Sequence, residues 1–159
     1  MTTAPDIARV AVRTVELADP GPLLELLPES GALAWVRRGA GLVGWGTALR
    51  GVFSGVSRFA DAERWWSATA RTSVVRDEVG LAGAGLVAFG SFAFADDPGA
   101  SVLVVPEVVV GARDGRWWMT TVGVDGVLPS PPALCAPSPA RRPAAVRFAD
   151  GARSGADWE

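Results

Sequence analysis

Val102-Leu103-Val104-Val105-Pro106-Glu107-Val108-Val109-Val110-Gly111-Ala112-Arg113-Asp114-Gly115-Arg116-Trp117-Trp118-Met119-Thr120-Thr121-Val122 is the stretch whose reading decides the fold. Two runs rich in β-branched and aromatic residues flank Asp114-Gly115, the pair that a two-residue hairpin turn prefers. Arg116 to Val122 is therefore the returning strand. Pro106 cannot donate to a ladder, so it marks Val102–Val110 as an edge strand or a bulged one. Upstream, Leu86, Ala88, Gly90, Phe92 and Phe94 alternate with Val87, Phe89, Ser91 and Ala93. Both sets are mostly apolar, which predicts a strand buried on two faces. Asp96-Asp97-Pro98-Gly99 ends it as a turn. This strand lies in the longest uncharged stretch, Val79 to Ala95, which four glycines and Ser91 interrupt. The stretch reads as buried sheet rather than as a membrane helix.

Working outward, Ala8 to Leu17 alternates as a first strand, and Asp19-Pro20-Gly21-Pro22 breaks it. A short helix through Leu23, Leu24, Leu26 and Leu27 follows, stopped by Pro28. Ala32–Arg37 and Leu42–Val52 read as strands around the Arg38-Gly39-Ala40-Gly41 turn. The clearest helix spans Ala62 to Thr72, with Asp61 as N-cap. Ala62, Trp65, Trp66, Thr69 and Ala70 form its apolar stripe, and the paired indoles are packing groups. After Val127, Pro129, Pro131, Pro132, Pro137, Pro139 and Pro143 lie among Ala and Ser and predict an extended connector. Arg147-Phe148 is read as a last short strand. Ser154 or Asp157 would cap a further helix.

Composition narrows the chemistry. In 159 residues there is no His, Lys or Tyr, and all fifteen basic residues are Arg. Arginine stays protonated at ordinary pH, so it is a poor acid or base near neutrality. Imidazole-based triads, imidazole zinc sites, Schiff bases and phosphate-loop lysines are all excluded. The net charge of −2 and the absence of an Arg-dense face argue against nucleic acid or an anionic membrane as partner. A lone Cys135 fits a reducing compartment, and no basic-then-apolar leader opens the sequence. The chain reads as cytosolic.

Several motifs have plainer readings than their chemistry suggests. Gly39-Ala40-Gly41-Leu42-Val43-Gly44 spells a dinucleotide fingerprint, but Trp45-Gly46-Thr47 follows where the phosphate-binding helix should open. It reads as a glycine-rich hairpin, and Asp61 as a helix residue rather than a ribose contact. Adjacent Asp96 and Asp97 point to opposite sides at a strand end, which suits a solvated turn better than a metal or acid pair. Cys135 has no neighbouring base. Arg37-Arg38 and Arg141-Arg142 lie near turns as solvated charge. No catalytic, cofactor-binding or metal-ligating residue is assigned.

Three segments in order resemble the N-terminal region of chorismate-utilising enzymes, most closely isochorismate synthases. They are Ala34-Trp35-Val36-Arg37-Arg38 into Gly41-Leu42-Val43-Gly44-Trp45-Gly46, the Ala62–Ala70 helix with Trp65-Trp66, and Ala88–Phe94 followed by Leu103–Val110 and Asp114–Trp118. The resemblance implies an α+β fold of layered, mostly antiparallel β-sheet with flanking helices. It also implies a boundary plan: an N-terminal region over residues 1–125, a connector over 126–146, and the start of a catalytic part over 147–159. The implied reaction is Mg²⁺-dependent conversion of chorismate to isochorismate for menaquinone or siderophore synthesis. A lysine activates water, a glutamate protonates the leaving hydroxyl, and glutamates hold Mg²⁺. All those groups belong to the family's C-terminal half, so the chain is expected to be inactive alone and to bind no Mg²⁺ or chorismate itself. Salicylate, anthranilate and aminodeoxychorismate synthases share the pattern. Leu27-Pro28-Glu29-Ser30 matches only the Glu-Ser of the anthranilate synthase feedback site, and a helix-to-strand loop accounts for it equally. A standalone binding or regulatory module, which pairs with a separate catalytic chain or senses a small molecule, is the rival expectation; a small α+β domain of unknown ligand is a third, favoured if the Phe89–Phe94 strand is exposed. Apolar strands lacking a partner layer predict self-association.

Overall fold

The computed structural model describes residues 9–97, 99–134 and 144–149. In chain order these form β1 (Ala11–Leu17), a 3-10 turn (Leu23–Leu26), β2 (Leu33–Arg37), β3 (Ala40–Trp45) and β4 (Leu49–Phe53). Then come α1 (Arg58–Thr72), β5 (Val74–Asp77), β6 (Phe89–Ser91), β7 (Ser101–Val105), β8 (Val108–Arg113) and β9 (Arg116–Gly123). One sheet has six strands in the order β2-β3-β8-β9-β1-β5, and a smaller one has the order β4-β7-β6. Every neighbouring pair is antiparallel except β1 and β5. The fold is mixed α+β with mostly antiparallel sheets.

Two hairpins set the register of the larger sheet. Arg38 and Gly39 have φ of 55° and 80°, and Asp114 and Gly115 have 52° and 74°. Positive φ at both central residues is the signature of the two-residue turn that matches strand twist. Arg37 therefore faces Ala40, and Arg113 faces Arg116.

The Leu42–Val52 and Val102–Val110 runs each break into two strands, one in each sheet. Gly46 (φ 72°) breaks the first and Pro106 the second. The breaks lie side by side: Glu107 N–H donates to Trp45 O at 3.1 Å, and Ala48 N–H to Val105 O at 2.9 Å. Pro106 is thus neither on an edge nor in a bulge. It marks a corner where two paired strands change sheets together, a position at which the missing N–H costs no ladder bond.

Three further expectations are corrected. The helix starts four residues before Ala62, with Ser57 at its N-cap; Asp61 lies in its first turn, where it accepts a hydrogen bond from Ser57 Oγ at 2.7 Å. The strand read over Leu86–Phe94 shrinks to β6, an edge strand, and Phe92 is 42% exposed with Phe94 fully exposed. Gly80, Gly83 and Gly85, all at positive φ, turn the preceding chain into a loop instead. Arg147-Phe148 forms no strand: the described residues around it carry no regular structure and Phe148 is exposed. Strand β5 was not anticipated. Ser154 and Asp157, read as helix caps, lie outside the described residues.

Register shows how the core is split. Val43, Val110 and Met119 face one another across three strands, so they share one face of the large sheet. Leu23 from the 3-10 turn covers them, and Leu134 packs alongside. Val12 faces Val122 on the opposite face, where Val10, Val105, Trp65 and Trp66 join them beneath α1 and the small sheet. The loop before β6 is pinned to this second face. Gly85 N–H donates to Thr14 Oγ1 at 3.0 Å, and the Thr14 and Thr120 hydroxyls share a buried hydrogen bond at 2.8 Å. Trp118 Nε1–H donates to Gly83 O at 3.3 Å.

Candidate functional site

The weighed motifs disperse over the fold. Gly39 to Gly44 occupy the β2–β3 turn and strand β3, and the next element is strand β4 rather than a helix. Asp61 is exposed enough to pair with Arg64 on the helix surface. Arg37 lies on β2 and Arg38 in the turn beyond it, both exposed. Cys135 and Arg141-Arg142 lie outside the described residues. Asp96 and Asp97 do not act as a pair: Asp97 is exposed, while Asp96 binds a residue that sequence reasoning missed.

That residue is Arg58, at the start of α1 and only 6% exposed. Its Nε donates to Ala93 O at 3.1 Å, Nη1 to Gly55 O at 2.9 Å and to Asp96 Oδ1, and Nη2 to Phe94 O at 3.1 Å. The guanidinium lies 4.6 Å from the centre of the Phe59 ring. A buried charge is tolerable only when its donors are matched, and here one planar fork satisfies three carbonyls and a carboxylate. The clamp fixes the Phe92–Asp97 loop against the helix. The signal was present in the sequence: carried back one turn, the stripe of Ala62, Trp65 and Thr69 falls on residue 58.

The clamp shapes an apolar surface. Phe59 and Phe92 stack at 4.9 Å between centroids and 20° between planes. With Trp66, Leu86, Ala88 and Leu103 they line an open groove of about 500 Å³. Phe59 is 55% exposed. Val52, Val56 and Phe94, also exposed, come from β4, the turn after it and the clamped loop. Glu63 is the one titratable group among the groove's lining residues. Such a surface can bury area against another, at roughly 25 cal/mol per Å² of apolar surface, but it holds no acid–base pair. Among the described residues no three His, Cys, Asp or Glu side chains gather as a metal-binding group. No helix among them is long and apolar enough to cross a membrane.

No protein-family model matches the chain, and no curated protein or solved structure matches it. The class of protein is defined here by fold and surface: an α+β domain of two mostly antiparallel sheets with an apolar groove beside its helix.

Proposed function

We propose that this chain is the N-terminal, non-catalytic part of a cytosolic chorismate-utilising enzyme, with isochorismate synthase the particular activity. The family part of this reading rests on resemblance, and one observation supports its non-catalytic part. The apolar groove over α1 and the small sheet is built from a sequence with no His, Lys or Tyr. Moving a hydroxyl around the chorismate ring needs a base to activate water and an acid to protonate the leaving group. Mg²⁺ would neutralise the substrate carboxylate. Those parts are assigned to a lysine-bearing half. The chain's own contribution is surface for that half to pack on.

A standalone binding or regulatory module is the second reading. It is favoured by the way the central strands β8, β9 and β1 of the six-stranded sheet are already packed on both faces by the described chain itself.

Two measurements test these readings, and the second separates them. Purified chain given chorismate and Mg²⁺ is expected to form isochorismate no faster than buffer, and a clear rate overturns the non-catalytic reading. Co-expressed with the lysine-bearing half of an isochorismate synthase, it is expected to co-purify and restore turnover. If it does neither, the chorismate reading falls and the module remains.

A further inference from the structure

On the face of the large sheet that carries Val12 there is a second cleft, which shares no lining residue with the apolar groove. Register places its parts. Trp35 faces Leu42, Leu42 faces Gly111, and Gly111 faces Trp118, so these form one row across four strands. Two residues along each strand, on the same face, comes the next row. Arg37 faces Ala40, and Ala40 falls opposite Arg113 by continuation from the Gly41–Ala112 pair. The two arginines thus flank a single alanine, with their Cα atoms about two strand spacings, roughly 10 Å, apart. They line one cavity of about 230 Å³ with Trp35, Leu42 and Trp118.

The floor is rigid. Trp118 is 1% exposed, its indole lies where any Cβ on Gly111 would sit, and Nε1–H is held by Gly83 O. The rim is charged and, among the described residues, unmatched. Arg116, the fourth member of the arginine row, pairs with Glu16 at 3.1 Å. Among the described residues neither Arg37 nor Arg113 has an acidic partner, and no Asp or Glu lines the cavity.

We infer that this cleft binds a small ring-bearing carboxylate. Guanidinium forks match a carboxylate in plane and spacing, and an exposed indole (Trp35, 65% exposed) offers a face for a ring to stack on. The volume of about 230 Å³ accommodates about one ring with its substituents. The inference stands on this cleft alone and does not rest on the chorismate reading.

Benzoate is the probe, with benzamide as its uncharged counterpart, followed by amide and indole NMR shifts of the intact chain. Saturable shifts at the Trp35 indole and the Gly41 and Gly83 amides are expected with benzoate, and benzamide should bind about tenfold more weakly or worse, the value of one charge-assisted bond. R37Q combined with R113Q should weaken benzoate by a similar factor or more. R38Q, which removes a neighbouring exposed charge outside the cleft, should leave the affinity unchanged. Both arginines are exposed, and an unchanged spectrum away from the cleft verifies that the variant is folded. Equal binding of benzoate and benzamide, no saturable shift, or an affinity indifferent to R37Q/R113Q each overturns the site. None of these outcomes bears on restoration of turnover by a catalytic half.

Discussion

Arg58 is the residue on which most of the local structure around the groove turns. Replacing it with Met keeps the stem and removes four hydrogen bonds, leaving the carbonyls of Ala93, Phe94 and Gly55 without their shared donor. The expected loss is about 2–3 kcal/mol, read as a lowered urea midpoint with unchanged slope. Arg64→Met, at the exposed pair with Asp61, should cost under about 1 kcal/mol in the same assay. Gly111 makes a second residue-scale case. An added methyl meets the Trp118 indole, which is buried and tethered, so Gly111→Ala should cost roughly 1–3 kcal/mol. The helical stripe carried back one turn reaches Arg58, but neither its clamp nor the ring over Gly111 was legible in the sequence. A charged residue one turn before an apolar stripe looks like a solvated end, and a glycine within a Val-rich strand does not reveal which ring lies on it.

At the scale of elements, what could be read were the features with short-range causes. The Asp114-Gly115 hairpin, the first strand and the Trp-bearing helix follow from turn chemistry and periodicity, and all three are present, the helix with an earlier start. What could not be read depends on pairing between distant segments. Gly46 and Pro106 each look like a local blemish, and only their adjacency makes them a shared corner. Strand β5 is four residues long and owes its place to the parallel pairing of Val74–Asp77 with Ala11–Thr14. Gly46→Ala tests the corner. It forces a positive φ on a residue with Cβ and drives that Cβ into Glu107, so a loss of about 2 kcal/mol or more is expected in thermal or urea unfolding. The loop before β6 is tested by Thr14→Val, which strands the Gly85 N–H and the Thr120 hydroxyl. It should cost about 1–3 kcal/mol, with the Gly85 amide losing hydrogen-exchange protection.

For the molecule as a whole, the sequence anticipated a layered α+β arrangement but placed its burial wrongly. The alternating run that ends at Phe94 was expected to lie between two layers, and it surfaces instead because Arg58 holds its carbonyls at the rim of the helix. No candidate site was assigned from sequence, and the arginine–tryptophan cleft shows why. Arg37 and Arg113 are 76 positions apart and become neighbours only through β3. The exposed Phe59–Phe92 stack predicts association in the isolated chain. Phe59→Ser with Phe92→Ser should shift light scattering towards monomer while lowering stability by about 1–2 kcal/mol, since both rings are half buried already. A double variant that stays as associated as the parent would place the contact elsewhere.

The corner at Trp45 and Glu107 has a mechanical consequence. Because both strands bend at the same level and stay bonded through the bend, the large and small sheets behave as one creased plate with no soft joint between them. Tension on β6 reaches β8 along β7 through covalent chain, and the neighbouring β4–β3 strand shares the load. A tether pulling there should meet a single rupture rather than two successive ones.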